Sequence, residues 1–208
     1  LCYNLIKLLI ENKVYKKIIS IIFCLIFLLL SNNVLAFKQD YIPSDPNIIY
    51  QNYFNLINIE SSWSNDLQIN KEIIVAVLDS GMDLDHPDLK NNLWINMDEI
   101  PDDGIDNDGN SYIDDINGWD FVDSDNIPEP EINNEYNFTA INHGTVIAGI
   151  IAAESNSSGI VGISPESKIM TLRILDEEGS GNTLTLSQAI NYAVENNADI
   201  INLSLVGS

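Results

Sequence analysis

Two residues of this 208-residue chain have the chemistry of an acid–base pair, Asp79 and His143. Asp79 ends an uninterrupted apolar run, residues 73–78, and Ser80-Gly81 breaks the run at once. His143, one of only two histidines, opens an apolar stretch rich in Ala and Gly. A carboxylate bound to an imidazole fixes its tautomer and stabilises the imidazolium. The two residues could therefore form the acid–base half of a Ser-His-Asp system.

Simpler interpretations and other enzyme classes compete with this hypothesis. Asp79 alone could be a turn or helix-cap acid, and His143 alone could be a hydrogen-bonded histidine at the start of a buried helix. An aspartic protease would use the run into Asp79-Ser80-Gly81, but it needs a second Asp-Thr/Ser-Gly, which this sequence lacks. An Asp-x-Asp phosphatase fits poorly because Asp83 lies four residues after Asp79.

The elements that must position the pair follow from the apolar pattern. Residues 73–78, 169–175 and 199–205 read as buried strands. Residues 146–153 predict a buried helix, and a second helix reaches about residue 197 from a capping box that begins at Thr185. Strands alternating with helices favour an α/β fold with a parallel sheet, which holds its chemistry at the carboxyl ends of the strands.

The N-terminus predicts a secretory signal peptide at residues 1–36. Basic residues precede an apolar run at 18–30, and a small residue, Ala36, offers the cleavage site. An uncleaved membrane anchor is the alternative. Cleavage would remove both cysteines and leave a secreted or cell-envelope protein without stable membrane association. Residues 37–71 are expected to lead into the catalytic domain with short helices, and residues 72–208 to form its N-terminal part.

Acidic residues dominate the chain, with 31 Asp and Glu against nine Lys and Arg and a net charge of −22. Such a chain cannot attract nucleic-acid phosphates. Its self-repulsion favours bound cations, and the loop at residues 98–125 supplies the hard oxygens that calcium prefers. The candidate ligands there are Asp102, Asp106, Asp108, Asn110 and Asp114. The pattern is not a clean EF-hand, and the alternative is a solvated acidic loop.

Four segments together resemble the subtilisin-like serine proteases, the subtilases. Residues 75–83, with the His-Pro-Asp-Leu that follows, are similar to the segment around the family's catalytic Asp. Residues 143–153 are similar to the segment around its catalytic His. Residues 159–165 resemble the turn that comes next, and residues 202–205 resemble a strand that lines the substrate. The resemblance runs from about residue 43 to the end of the sequence.

This resemblance implies a three-layer α/β fold with a mostly parallel central sheet and a serine endopeptidase without an organic cofactor. The oligomeric state is left open, with a monomer expected, and secretion is expected from the signal segment. Asp79 would orient His143. The catalytic Ser and the oxyanion-hole Asn would lie beyond residue 208, so the chain is expected to be incomplete at its C-terminus and inactive by itself. The rival interpretation is an inactive, secreted calcium-binding protein with a protease-like fold.

The resemblance also implies where peptide and calcium bind. An extended polypeptide substrate would pair as an added strand with Gly179, Ser180, Gly181, Ser204 and Leu205. A second calcium site would take side chains from Asp88 and Asn156. It would take carbonyls from Glu154, Ser158 and Ile160.

Overall fold

The computed structural model describes residues 43–63, 72–131 and 142–205. All of them belong to one unit, Tyr41–Ser208. The predicted signal peptide, residues 1–36, lies outside the described residues, as does part of the segment at 37–71. No helix in the described part of the chain combines the length and the apolar character needed to cross a membrane.

Four parallel strands form the sheet that carries Asp79. They are β1 (Ile74–Asp79), β2 (Gly118–Asp120), β3 (Lys168–Arg173) and β4 (Ile200–Asn202). Their order across the sheet is β2-β3-β1-β4, and every neighbouring pair is parallel. The central strand β1 begins one residue later than the run predicts and ends on Asp79 itself. The predicted α/β fold with a parallel sheet is confirmed.

Helices cover the sheet and precede it. Their bounds are Pro46–Tyr50 (3₁₀), α1 Tyr53–Ile57, α2 Ile59–Trp63, Lys90–Asn92 (3₁₀), α3 His143–Ala152 and α4 Thr183–Glu195. The short helices near the N-terminus pack through Phe54 and Ile59 against Val161 in the loop after α3. The Gln51 side chain fastens the same contact by donating to the Val161 carbonyl at 2.7 Å.

The two long helices lie on opposite faces of the sheet. Successive side chains of β1 point to opposite faces, so each helix contacts a different set of them. On one side Val77 shares a buried cluster with Ala148 of α3. On the other side Leu78 shares a cluster with Ala189 and Tyr192 of α4. The result is the expected three-layer arrangement, with small residues on both helices allowing close approach. Helix α3 is nevertheless not buried on every side, as Val146 is 57% exposed.

The start of α4 differs from the prediction. Asn182 is the N-cap, and its Oδ1 accepts the N–H groups of Leu184 and Thr185. Thr185 lies inside the helix and donates its hydroxyl to the Asn182 carbonyl at 3.0 Å. An Asn caps at least as well as a Thr, so the helix begins two residues before the predicted capping box.

Strand β2 was not predicted, because three residues within an acid-rich loop show no periodicity. Its place beside β3 depends on Gly118, whose φ is +126°. A Cβ at this position would lie 1.8 Å from the Thr171 carbonyl oxygen. Only glycine permits that approach, and β2 holds the acidic loop against the edge of the sheet.

Candidate active site

Asp79 and His143 meet at the carboxyl end of β1. His143 Nδ1 lies 2.9 Å from each carboxylate oxygen of Asp79. Asp79 is buried, whereas 41% of the His143 side chain is exposed. The Ser80 N–H donates to Asp79 Oδ1 at 2.8 Å and fixes the carboxylate. Nδ1 is therefore held by the buried acid, and Nε2 is the nitrogen left for a reacting group.

Close packing of the backbone brings the two residues together from positions 64 apart. Gly144 follows His143, and a Cβ there would lie 2.2 Å from the Gly81 carbonyl oxygen. The Gly144 N–H donates to Ser80 Oγ at 3.2 Å. Thr145 Oγ1 accepts the Asp83 N–H at 3.0 Å, which ties the loop after β1 to the first turn of α3. These contacts set the distance between strand end and helix start.

The chemistry open to this arrangement is general base catalysis. A carboxylate at Nδ1 keeps the proton on that nitrogen, so that Nε2 can accept a proton from a nucleophile. The carboxylate then stabilises the imidazolium that forms. The pair itself supplies the base and its orienting acid, and a nucleophile must come from another group.

The first predicted peptide-binding segment lies at the same edge of the sheet. Ser180 and Gly181 line a cavity of about 290 Å³ together with Ile174. The Ile174 N–H donates to the Asp79 carbonyl at 2.8 Å, so the cavity begins next to the acid of the pair. Gly179, with φ +77°, closes the turn by donating to the Asp176 carbonyl at 3.0 Å.

The second predicted peptide-binding segment, Ser204-Leu205, follows β4. Val77 pairs with Asn202 in register, so Ser204 lies as far beyond that pair as Asp79 does. Ser204 is exposed, and its hydroxyl donates to Asn202 Oδ1 at 3.0 Å. Within the described residues no hydrogen bond joins this segment to residues 179–181. Both segments therefore lie at the side of the sheet where the strands have their carboxyl ends.

A buried cation that the sequence did not single out lies beside this edge. Arg173 pairs in register with Asp79. Its guanidinium contacts Asp120 and Asp123 at 2.5 Å each and Glu131 at 3.9 Å. Burial opposes the charge of Arg173, but the bonds from Asp120 and Asp123 outweigh it and raise its pKa. Burial also raises the pKa of Asp120 above its usual value. The cluster fastens the segment after β2 to β3.

Three carboxylates of the acidic loop converge. One oxygen from each of Glu99, Asp106 and Asp108 lies within 4.8 Å of the others. Hydrogen bonds from the N–H groups of Ser111, Gly109 and Asn110 hold the pKa of Asp106 below its usual value, so it is ionised at neutral pH. The spacing allows all three to approach one cation at the roughly 2.3–2.6 Å of calcium–oxygen contacts. The donors fit calcium.

The other predicted ligands of this loop have different surroundings. The Asp114 carboxylate accepts the N–H groups of Asp103 and Gly104 and, like Asp102, lies outside the converging group. Asn110 lies beside Asp108, to which its side-chain amide donates at 2.9 Å. Glu99, which was not among the predicted ligands, completes the group. Its acidity was visible in the sequence, but the fold of the loop that aims it was not.

At the predicted second calcium site, the loop at residues 154–160 lies around the carboxylate of Asp88. Buried Asp88 accepts the side-chain amide of Asn156 at 3.4 Å and the N–H of Ile160 at 3.3 Å. Ser158 donates its N–H to Asn156 Oδ1 at 2.9 Å. The Glu154 carboxylate turns away to accept from Asn91 at 3.0 Å, as expected if only its carbonyl binds.

Asp45 is a further acid at this loop that the sequence did not reveal. It is buried, and it accepts Ser155 Oγ at 3.1 Å and the N–H groups of Asn156 and Ser157. Because more than a hundred residues separate it from the loop, no local pattern could have indicated the contact.

Comparisons with known proteins agree with this geometry. The Subtilase family profile matches residues 70–207, which include both Asp79 and His143. Thermitase of Thermoactinomyces vulgaris is 31% identical over 170 residues, covering 81% of this chain and 49% of its own length. The major intracellular serine protease of Bacillus subtilis is 37% identical over 153 residues, covering 73% and 39% respectively.

A longer match and a solved structure extend these findings. Subtilisin-like protease 1 of Plasmodium berghei is 32% identical over 202 residues, which is 93% of this chain and 30% of that protein. A protease structure from Pseudoalteromonas arctica PAMC 21717 superposes with a TM-score of 0.59 at 25% identity, covering 81% of this chain and 52% of the other. The chain thus spans between 30% and 49% of the length of these curated relatives. By its sequence and its fold, this chain belongs to the subtilase family of serine proteases.

Proposed function

We propose that the complete protein is a serine endopeptidase in which Asp79 orients His143 and His143 acts as general base. The observation that carries the proposal is the 2.9 Å contact between His143 Nδ1 and the buried Asp79 carboxylate. The nucleophile in this proposal is a serine that lies beyond residue 208. Membership of the subtilase family supports this assignment, because the family hydrolyses peptide bonds in polypeptides.

His143 has two tasks in this reaction. It first takes the proton from the serine hydroxyl through Nε2 as that oxygen attacks the peptide carbonyl. It then gives the proton to the leaving amine. Asp79 stays ionised throughout and keeps the proton of Nδ1 in place. Burial of the acid beside a half-exposed imidazole suits this division, since only the base must reach the substrate.

The substrate is an extended polypeptide that lies between residues 179–181 and Ser204-Leu205. Two observations support this: both segments border the sheet edge at Asp79, and Ser180 and Gly181 line the cavity there. The resemblance to the subtilases assigns this segment to strand pairing with the peptide. The described lining of the cavity mixes apolar, acidic and uncharged polar residues, and broad specificity is part of the proposal.

Calcium binds in this proposal at two places. Glu99, Asp106 and Asp108 hold one ion, and their converging oxygens support this site. Asp88 and Asn156 hold the second with the carbonyls of Glu154, Ser158 and Ile160. The ion supplies positive charge in a part of the chain where residues 98–115 contain no Lys or Arg.

The test is hydrolysis of casein by the complete protein, compared with its His143→Ala variant. Loss of the histidine should lower turnover about a million-fold, as removal of this residue type does in subtilisin. Thermal melts should show that the variant still folds. Hydrolysis by the 208-residue chain alone that disappears in His143→Ala would place the nucleophile within it and overturn that part of the proposal.

An inactive calcium-binding protein is the second candidate, because the converging carboxylates support calcium binding whether or not the complete protein hydrolyses peptides. It predicts calcium binding without any hydrolysis by the complete protein. Sequencing of the coding region beyond residue 208 separates the candidates, because only the peptidase requires a serine nucleophile there.

Export is proposed with cleavage between Ala36 and Phe37. The support is the order of basic, apolar and small residues in the sequence. Two relatives are named intracellular proteases, so family membership leaves the compartment open. N-terminal sequencing of protein from the culture medium should give a chain that starts at Phe37. A start inside residues 18–30, or retention in the membrane fraction, would contradict export.

A further inference from the structure

Two side-chain amides connect Asp108, one of the three converging carboxylates, to the buried carboxylate of Asp115. Asn96 Nδ2 donates to Asp108 Oδ2 at 3.1 Å and to Asp115 Oδ1 at 2.8 Å. Asn110 Nδ2 donates to Asp108 Oδ2 at 2.9 Å and to Asp115 Oδ2 at 3.0 Å. Each amide uses both hydrogens in this way. The orientation of Asp108 is therefore tied to that of Asp115 by two parallel links.

Asp115 is in turn hydrogen-bonded to helix α4. It is fully buried, and its Oδ2 accepts the Tyr192 hydroxyl at 2.5 Å. Burial raises the pKa of Asp115, while its bonds with Tyr192, Asn96 and Asn110 work against the rise. Burial and the nearby Asp115 raise the pKa of Tyr192 far above its usual value, so the hydroxyl keeps its proton and donates.

Helix α4 leads from this contact to the cavity beside the Asp79–His143 pair. Tyr192 lies in its last turns and is fixed among Tyr112 and Phe121 by edge-on ring contacts. At the other end of the helix, Asn182 and Thr185 line the cavity with Ser180 and Gly181. Helix α4 joins Tyr192 to the cavity as one continuous element, and elements of this kind can carry coupling between two sites.

We propose that Asp115 and Tyr192 are positioning residues that couple calcium binding at Glu99, Asp106 and Asp108 to helix α4, and thereby to the peptide-binding cavity. The inference rests on the calcium site proposed above. Asp108 can turn toward an ion only in the orientations that the Asn96 and Asn110 amides allow, and these amides are set by Asp115. The coupling is reciprocal by thermodynamic necessity, so loosening α4 must weaken calcium binding.

The experiment compares Tyr192→Phe with Tyr112→Phe in the complete protein. Both changes remove one hydroxyl from the same aromatic group, but only the Tyr192 hydroxyl bonds to Asp115. Calcium affinity is measured by titration calorimetry, with Asp106→Asn identifying the heat that belongs to this site. Hydrogen exchange of residues 183–195 is followed with calcium and with chelator.

Tyr192→Phe should weaken calcium binding by up to about tenfold, less than the roughly 10–100-fold loss on removing a direct partner of a metal ligand, because Asp115 and an Asn amide separate Tyr192 from Asp108. Calcium should slow exchange in residues 183–195 of the wild type and of Tyr112→Phe, and this protection should be lost in Tyr192→Phe. Should Tyr192→Phe fail to fold, Asn96→Ala removes one of the two amide links from the other end and should reduce the calcium-dependent protection, with the Asn110 link left in place.

Equal affinity and equal protection in wild type and Tyr192→Phe would overturn the coupling alone. A wild type that shows no calcium-dependent heat removed by Asp106→Asn would overturn the calcium site and the coupling with it. Neither readout involves peptide hydrolysis, so failure of the endopeptidase proposal remains a separate result.

Discussion

The carboxyl end of β1 and the acidic loop both rely on aspartate, but they place it in different ways. Asp79 faces an imidazole that lies 64 positions away in the sequence and is brought close by packing of α3 on β1. Asp106 accepts N–H groups that follow it by three to five residues. The first geometry is made by the fold and the second by the local chain, so each should respond to different substitutions.

The two regions also differ in how they balance charge. Beside β1, the Asp79 carboxylate has His143, and the neighbouring Asp120 has Arg173. The acidic loop at residues 98–115 contains no cationic side chain of its own. Cationic or titratable side chains thus face the acids beside the sheet, whereas the loop has none of its own, and the calcium proposed there would balance its charge.

The largest expected effect on stability is that of Arg173→Met. This change leaves the buried Asp120 carboxylate without its partner, and breaking a buried ion pair costs about 3–5 kcal/mol. The control is Lys168→Met in the same strand, where a solvent-accessible Lys donates to the Asn91 carbonyl. It should cost about 0.5 kcal/mol or less. Urea unfolding measures both; equal midpoints for the two variants would contradict this account of Arg173.

Gly144→Ala should separate His143 from Asp79 without affecting the acidic loop. The added Cβ lies 2.2 Å from the Gly81 carbonyl, so the start of α3 must move away from β1. A displacement near 1 Å in a catalytic group can cost about 100-fold in turnover. Gly149→Ala is the matched control, because its nearest neighbour would be 3.7 Å away. Peptide turnover and calcium affinity are measured on both. Loss of calcium affinity in Gly144→Ala would contradict the independence of the calcium site from helix α3.

Removal of calcium should act on the acidic loop, the region that Gly144→Ala is expected to leave unchanged. If the ion binds the folded state alone at about 100 times its dissociation constant, chelation lowers stability by about 2.7 kcal/mol. Scanning calorimetry with calcium and with chelator measures the shift. A midpoint that does not change, in wild type as in Asp106→Asn, would contradict the calcium dependence of the loop.

Asn182→Ala should have the smallest effect, at the start of the helix that borders both regions. Loss of this N-cap removes bonds to two N–H groups and should cost about 1 kcal/mol. Thr185→Ala, at the site where the sequence predicts the cap, should cost less, because Thr185 lies inside the helix. Chemical denaturation of the two variants settles the order. A larger loss for Thr185→Ala would favour the capping box.

The sequence was sufficient for the features that depend on uninterrupted patterns. An apolar run that ends in a carboxylate predicts β1 and Asp79, and a histidine before an apolar, Ala-rich stretch predicts the start of α3. Parallel strands place their carboxyl ends together, which accounts for the position of Asp79, whereas residues 179–181 and 204–205 were assigned from the resemblance to the subtilases. These predictions need the order of elements along the chain and no detail of the loops.

The remainder depended on contacts that leave no periodic trace. Glu99 joins Asp106 and Asp108 because the loop turns through several Asn and Asp hydrogen bonds to the backbone. Asp45 reaches its loop from more than a hundred residues away. Arg173 looks in sequence like an ordinary charged residue near the end of a strand, and only the fold shows that it is buried among three acids.

The most direct test of the central claim is the turnover of Asp79→Asn in the complete protein. Replacing the orienting acid leaves the geometry in place but favours the wrong tautomer of His143, with an expected loss of about 10⁴-fold in kcat. Asp83→Asn, four residues along in the adjoining loop, should remain within a few-fold of wild type. Full activity in Asp79→Asn, or equal losses in the two variants, would contradict the assignment of Asp79 and His143 as the catalytic pair.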